Sequence, residues 1–161
     1  MYHVYTVNVN TLIFVFYCIS VKKILLLHGP NLNLLGQREP EQYGTATSES
    51  ILAGLRQGFP DLIIAYFQSN REDELVDAIQ QSPTVYDGIL LNAGAFSHTS
   101  IAMADAIKSI KTPVIAVHIS NIYNREEYRH TDIVGDACSG CITGLGAAGY
   151  TLALECLLES I

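Results

Sequence analysis

From Lys23 onward the chain alternates short apolar runs with segments of helical spacing, and this alternation limits its fold more than any other feature. Lys23–His28 (KILLLH) is apolar almost throughout and stops at Gly29-Pro30. Leu62–Phe67, Gly88–Leu91, Val114–His118 and a short run around Cys141–Thr143 repeat the type. Continuous apolar runs of this length, rather than alternating ones, belong to strands covered on both faces. Between them, Ser48–Gln57 carries Ile51, Leu52 and Leu55 on one helical face. Asn70 is placed to cap a helix with Glu72, Asp73 and Glu74 in its first turn and Leu75, Val76 and Ile79 as its buried stripe. Thr99–Lys108 and Ala147–Glu159 supply two further helices, and Ile119–Asp136 is irregular and polar. The pattern predicts one α/β domain, a doubly wound five-stranded parallel sheet in three layers, of the flavodoxin-like kind.

Residues 1–20 stand apart. All nine Lys and Arg and all sixteen Asp and Glu lie beyond them. Their apolar stretch, Leu12–Ile19, is far shorter than the ~20 residues of a membrane span. A basic n-region and a small-x-small cleavage site are both missing. Three readings stand: an extension from an upstream start codon, a weak targeting segment, or an extra strand. The absences favour the extension, with residues 21–161 as a single domain. The net charge of −7 argues against nucleic-acid and anionic-membrane partners, which need a basic patch.

Cys138-Ser-Gly-Cys141 has the spacing of a redox or zinc pair but lacks a second pair or a His partner motif, so two small buried thiols are expected. Free thiols and the missing export signal point to the cytoplasm. Gly29–Gly36 lacks the lysine and glycine spacing of phosphate loops, which counts against a nucleotide-binding domain. Nothing suggests a metal or organic cofactor. Lys22, Lys23, Lys108 and Lys111 flank strands at their amino ends, the wrong side of the sheet for Schiff-base chemistry.

The unusual polar residues collect instead at the carboxyl ends of the strands, where open α/β sheets bind ligands. They are Asn31 and Asn33 after the first strand, Asn92 to His98 after the third, and His118, Ser120 and Asn121 after the fourth. Gly36–Gly44 reads as a mobile loop carrying Arg38 and Tyr43. A guanidinium beside a phenol favours the phenolate, so this pair is a candidate general base. Equally, both are ordinary solvated loop residues on spacing alone. His118 is a candidate general acid near neutral pH, or a strand-terminal histidine bonded to backbone. His98 sits in Ser-His-Thr-Ser at the start of the third helix, where capping by Ser97 or Thr99 leaves the imidazole incidental.

His28 to Gly44 (HGPNLNLLGQREPEQYG), Phe67 to Asn70, Asn92 to Ser100 (NAGAFSHTS), Val117 to Asn121 and Arg125 to Arg129 together resemble the type II 3-dehydroquinate dehydratases, in order and from about Lys22 to the C-terminus. The resemblance implies a shikimate-pathway lyase that removes water from 3-dehydroquinate by anti elimination through an enolate. It implies Tyr43 as proton acceptor, Arg38 as its activator and transition-state stabiliser, Asn31 as holder of the water at the enolate oxygen, and His118 as proton donor. Asn92, His98, Ser120, Arg129 and the Ile119 backbone would bind substrate, with Asp105 reaching a neighbouring subunit's site. Trimers assembled into a dodecamer, and no cofactor, are also implied. Two positions depart from the family pattern. Ala116 stands where a glutamate usually precedes the histidine by two residues, which predicts a weakened acid step or, at the extreme, a ligand-binding protein without catalysis. Asn70-Arg-Glu-Asp73 replaces Asn-x-Glu-Gly, a tolerable change at a helix start.

Overall fold

The computed structural model describes residues 3–9, 12–18, 21–37 and 45–161, the first two stretches as backbone only. Those two are β1 (His3–Val9) and β2 (Leu12–Cys18), antiparallel from His3↔Cys18 to Val9↔Leu12 and forming a two-stranded sheet of their own.

The main sheet contains β3 (Lys23–His28), β4 (Ile63–Gln68), β5 (Gly88–Asn92), β6 (Val114–His118) and β7 (Gly140–Thr143). All neighbours are parallel, in the order β4-β3-β5-β6-β7. The chain thus steps from β3 to one side and then returns to build β5 on the other, the doubly wound arrangement expected from the sequence. The helices are α1 (Ser48–Gly58), α2 (Glu72–Gln81), α3 (Ile101–Lys108) and α4 (Ala148–Leu158).

Alternate residues of each strand feed two cores. Ile24 and Leu26 of β3, Leu90 of β5 and Val117 of β6 pack with Leu55 of α1 and Tyr150, Leu154 and Leu157 of α4. Leu25, Leu27, Ile89 and Leu91 pack on the opposite face with Leu75 and Ile79 of α2 and Met103 and Ile107 of α3. Each such side chain stabilises the fold by about 1.5–3 kcal/mol relative to exposure, so the three central strands are held from both sides.

Two caps differ from expectation. Arg71 occupies the N-cap of α2 without a side-chain bond. Asn70 is turned the other way: its Oδ1 accepts from the Asn31 backbone N–H at 2.9 Å and from Gln68 Nε2 at 3.1 Å. Helix α3 starts two residues later than predicted because Ser100, rather than Ser97 or Thr99, accepts from the Met103 N–H.

Candidate active site

The strand order reverses beside β3, and the loops leaving β3 and β5 cross there. The Gly29 N–H donates to Asn92 O at 2.7 Å. A Cβ on Gly29 would overlap the Ala93 carbonyl, and one on Gly94, at φ +58°, would crowd Pro30 O. Only glycine allows this approach of two backbones. Directly after the crossing, Asn31 holds φ 66°, the one non-glycine residue with positive φ among those described. Asparagine tolerates that conformation better than most residues, and such outliers gather at functional sites.

Around this crossing lies a cavity of about 100 Å³ lined by Pro30, Asn31, Asn92, Gly94, His98, His118, Ile119, Ser120, Arg125 and Arg129, among others. The structure therefore brings Asn31, Asn92, His98, His118, Ile119, Ser120 and Arg129 of the predicted set together. Asp105 is exposed on α3 and does not line this cavity. Arg38 and Tyr43 lie outside the described residues.

Each lining group is held by its own neighbours. Asn92 Nδ2 donates to the buried Tyr150 hydroxyl at 2.9 Å, and Asn92 Oδ1 accepts from the Gly94 N–H at 3.1 Å. His98 sits with Nδ1 2.8 Å from Thr131 O, its ring stacked on His118 at 6.2 Å between centroids. Arg129 Nε donates to Glu126 at 2.9 Å. Arg125 meets the same carboxylate at 3.4 Å, and its Nη1 reaches Ser120 Oγ at 3.5 Å. Two guanidiniums thus share one carboxylate, Glu126, on a wall of the cavity, a local excess of positive charge in an otherwise acidic protein, which matters because distant charge is screened by salt.

His118 has a carboxylate partner that sequence reading missed. Its Nε2 lies 2.6 Å from Asp132 Oδ2, with side chains only 8% and 9% exposed. Ala116 therefore does not leave the imidazole without an acidic neighbour: the carboxylate arrives from the loop beyond the strand. Burial works to raise the Asp132 carboxyl. The His118 hydrogen bond and charge, the Gly135 N–H and the His98 charge outweigh it and hold the group below the usual carboxylate range. No motif or periodicity marked Asp132; an acid in an irregular loop shortly after a candidate histidine was the only clue.

Cys141 Sγ lies 3.9 Å from the same Asp132 oxygen, and the donor atoms of His118, Asp132 and Cys141 all fall within 4.8 Å of one another. Nitrogen, oxygen and sulfur at these separations are a donor set that could hold a zinc-like ion. The direct His118–Asp132 contact already satisfies two of the three. Partial burial of its sulfur, with Asp132 adding to it, pushes the Cys141 thiol up to about 11, which keeps it protonated although the residue as a whole is exposed. Burial likewise raises Cys138 to about 12. Contrary to the expectation of two buried thiols, Cys138, just before β7, is half-buried, and Cys141 is exposed because β7 is the edge strand of the sheet.

A five-stranded, doubly wound sheet with a polar cavity at its switch point, walled by two histidines and two arginines, defines a small-molecule enzyme of the flavodoxin-like class. A family model described as "Dehydroquinase class II" matches residues 22–158, and the chain belongs to that family. It is 48% identical over 143 residues to a 3-dehydroquinate dehydratase of Bacillus cytotoxicus, covering 88% of this chain and 98% of the relative. A namesake from Ruegeria pomeroyi is 52% identical over 139 residues, covering 83% and 91%. Among solved structures, the type II dehydroquinase of Propionibacterium acnes superposes with a TM-score of 0.81 at 41% identity, over 86% of this chain and 97% of that one. That of Butyrivibrio crossotus gives 0.82 at 38% identity, over 85% and 97%. The resemblance read from the motifs is thereby confirmed. No helix among the described residues is long and apolar enough to cross a membrane.

Proposed function

We propose that the chain is a 3-dehydroquinate dehydratase, a hydro-lyase that eliminates water from 3-dehydroquinate through an enolate to give 3-dehydroshikimate, within aromatic amino acid biosynthesis. The observation that carries this reading is the gathering of His118, Asn31, Asn92, His98, Ser120 and Arg129 on one cavity at the switch point. Family membership and the relatives' names support the same conclusion.

In this reading Tyr43 takes the proton alpha to the ketone, and Arg38 is its activator, a guanidinium that favours the phenolate. The enolate oxygen then needs pre-aimed donors, and a water held by Asn31 provides one. His118 delivers a proton to the departing hydroxyl. Asn92, His98, Ser120, Arg129 and the Ile119 backbone grip the substrate's hydroxyls and carboxylate. Asp105, exposed on α3, serves a neighbouring subunit's cavity in a dodecamer built of trimers. The enzyme works in the cytoplasm as one catalytic domain, residues 21–161, and uses no cofactor.

Adding 3-dehydroquinate to the purified full chain and following enone absorbance tests the proposal. The absorbance rises, and Tyr43→Phe and His118→Ala each slow the rise by about 10²–10⁴-fold, the usual range for a lost general base or acid. Tight ligand binding with no enone formed by the unaltered protein would overturn it in favour of a binding protein.

A further inference from the structure

Two facts about His118 are independent of any relative. Its Nε2 contacts a carboxylate at hydrogen-bond distance, and that carboxylate is itself fixed, since Asp132 Oδ1 accepts the Gly135 N–H at 2.8 Å. Gly135 is glycine for the same reason: a Cβ there would overlap the Asp132 carboxylate. Ala116, two residues earlier on β6 and so on the same face as His118, offers only a methyl. The loop of Asp132 is tied down by the Val134 N–H to Ser97 O at 3.2 Å, next to His98.

Resting on the dehydratase reading above, we infer that Asp132 is the positioning residue of His118: its carboxylate accepts the Nε2–H, fixes the ring, and leaves Nδ1 as the nitrogen that gives a proton to bound substrate. A ring bonded only through water or backbone would sample several rotamers and both tautomers. A buried ionised acceptor selects one tautomer and stabilises the ring when it carries the second proton, which a proton donor must do. Proton balance is simple. The imidazolium loses its Nδ1 proton to the leaving hydroxyl, water departs, and the neutral ring keeps Nε2–H on Asp132. The carboxylate never takes the proton.

Asp132→Asn is the test, because Asn keeps the shape and an oxygen for the Gly135 N–H while removing the charge. On the full chain without substrate, nitrogen-15 and proton spectra of the histidine rings report the Nε2–H directly. The unaltered protein shows a low-field, slowly exchanging Nε2–H that His118→Gln removes, and Asp132→Asn loses that signal. In steady state the variant's kcat falls about 10–100-fold, in the range seen for groups that orient a catalytic ligand, with KM changed less. An unchanged ring spectrum or an unchanged kcat in Asp132→Asn overturns the inference. Should that variant fail to fold, absence of the low-field signal in the unaltered protein overturns it and presence supports it. The ring spectrum needs no turnover. An intact signal in a protein that forms no enone therefore defeats the dehydratase reading, and with it the donor role of Nδ1, while the positioning of His118 by Asp132 stands.

Discussion

Two histidines end strands of the same sheet at the same rim, yet their surroundings assign them opposite chemistry. His28, the last residue of β3, is fully buried. Its Nδ1 meets Ser48 Oγ at 3.3 Å, while Tyr66 and Tyr150 pack against its ring at 5.3 and 5.4 Å. Its Nε2 finds no hydrogen-bond partner among the described residues. Burial alone lowers its pKa to about 3, so it is neutral and inert at physiological pH. His118, the last residue of β6, is nearly as buried but faces an ionised carboxylate and lines the cavity. A strand-end position is therefore not by itself what marks a site residue. What sets His118 apart is the carboxylate beside it and the cavity it lines.

The comparison depends on both strand ends being held in place, and the sharpest way to break it is at the crossing that follows His28. Gly29→Ala puts a methyl into the Ala93 carbonyl. Backbone overlap of this kind belongs to the exceptional class above about 4 kcal/mol, and a large fall in the urea midpoint, or loss of soluble protein, is expected. Somewhat smaller is the effect of acid on His28. Its folded pKa, about 3, lies below the ordinary 6.5. Between those values the unfolded chain binds the extra proton, so stability is full above pH 6.5 and drains as pH falls toward 3. Asp132, held below its usual value, adds a further loss as its own carboxylate protonates in acid. Urea midpoints measured from pH 7 to pH 3 will show the decline; His28→Leu will flatten it between pH 7 and pH 4 and leave Asp132's part, which falls below the ordinary carboxyl value of 3.8.

On the His118 side the expected effects are on catalysis. Arg129→Lys keeps a charge but loses the forked geometry that pairs with carboxylates. KM for dehydroquinate rises about tenfold with kcat less affected, the signature of lost uniform binding. Smallest is Asn31→Gly. It relieves the positive φ while adding freedom to the unfolded chain, so stability moves by no more than about 1 kcal/mol. Turnover drops if the Asn31 side chain holds the enolate's water, and a variant as fast as the unaltered chain would remove Asn31 from the mechanism.

Much of this was legible in the residues. The buried strands announced themselves through apolar runs such as KILLLH, because a strand covered on both faces can carry little else. The rim residues stood out because Asn31, Asn92 and His118 interrupt that apolar pattern at the same end of successive strands. What escaped was set by contacts between distant segments. Asn70 has every local mark of a cap, yet its side chain is drawn to the Asn31 backbone across the rim. Asp132 carried no periodic signal because its partner is fixed by where an irregular loop folds back. Cys141 was expected inside, and its exposure follows from β7 lying at the sheet edge, which spacing alone does not determine.

The central claim is that His118 is an acid at the cavity and His28 a structural neutral group, in a chain that dehydrates 3-dehydroquinate. It is tested most directly by the rate of enone formation in three proteins side by side: the unaltered chain, His118→Ala and His28→Leu. The account predicts turnover in the first, a loss of about 10²–10⁴-fold in the second, and most of the activity retained by the folded third. Equal losses in both variants, or full activity in His118→Ala, would contradict it.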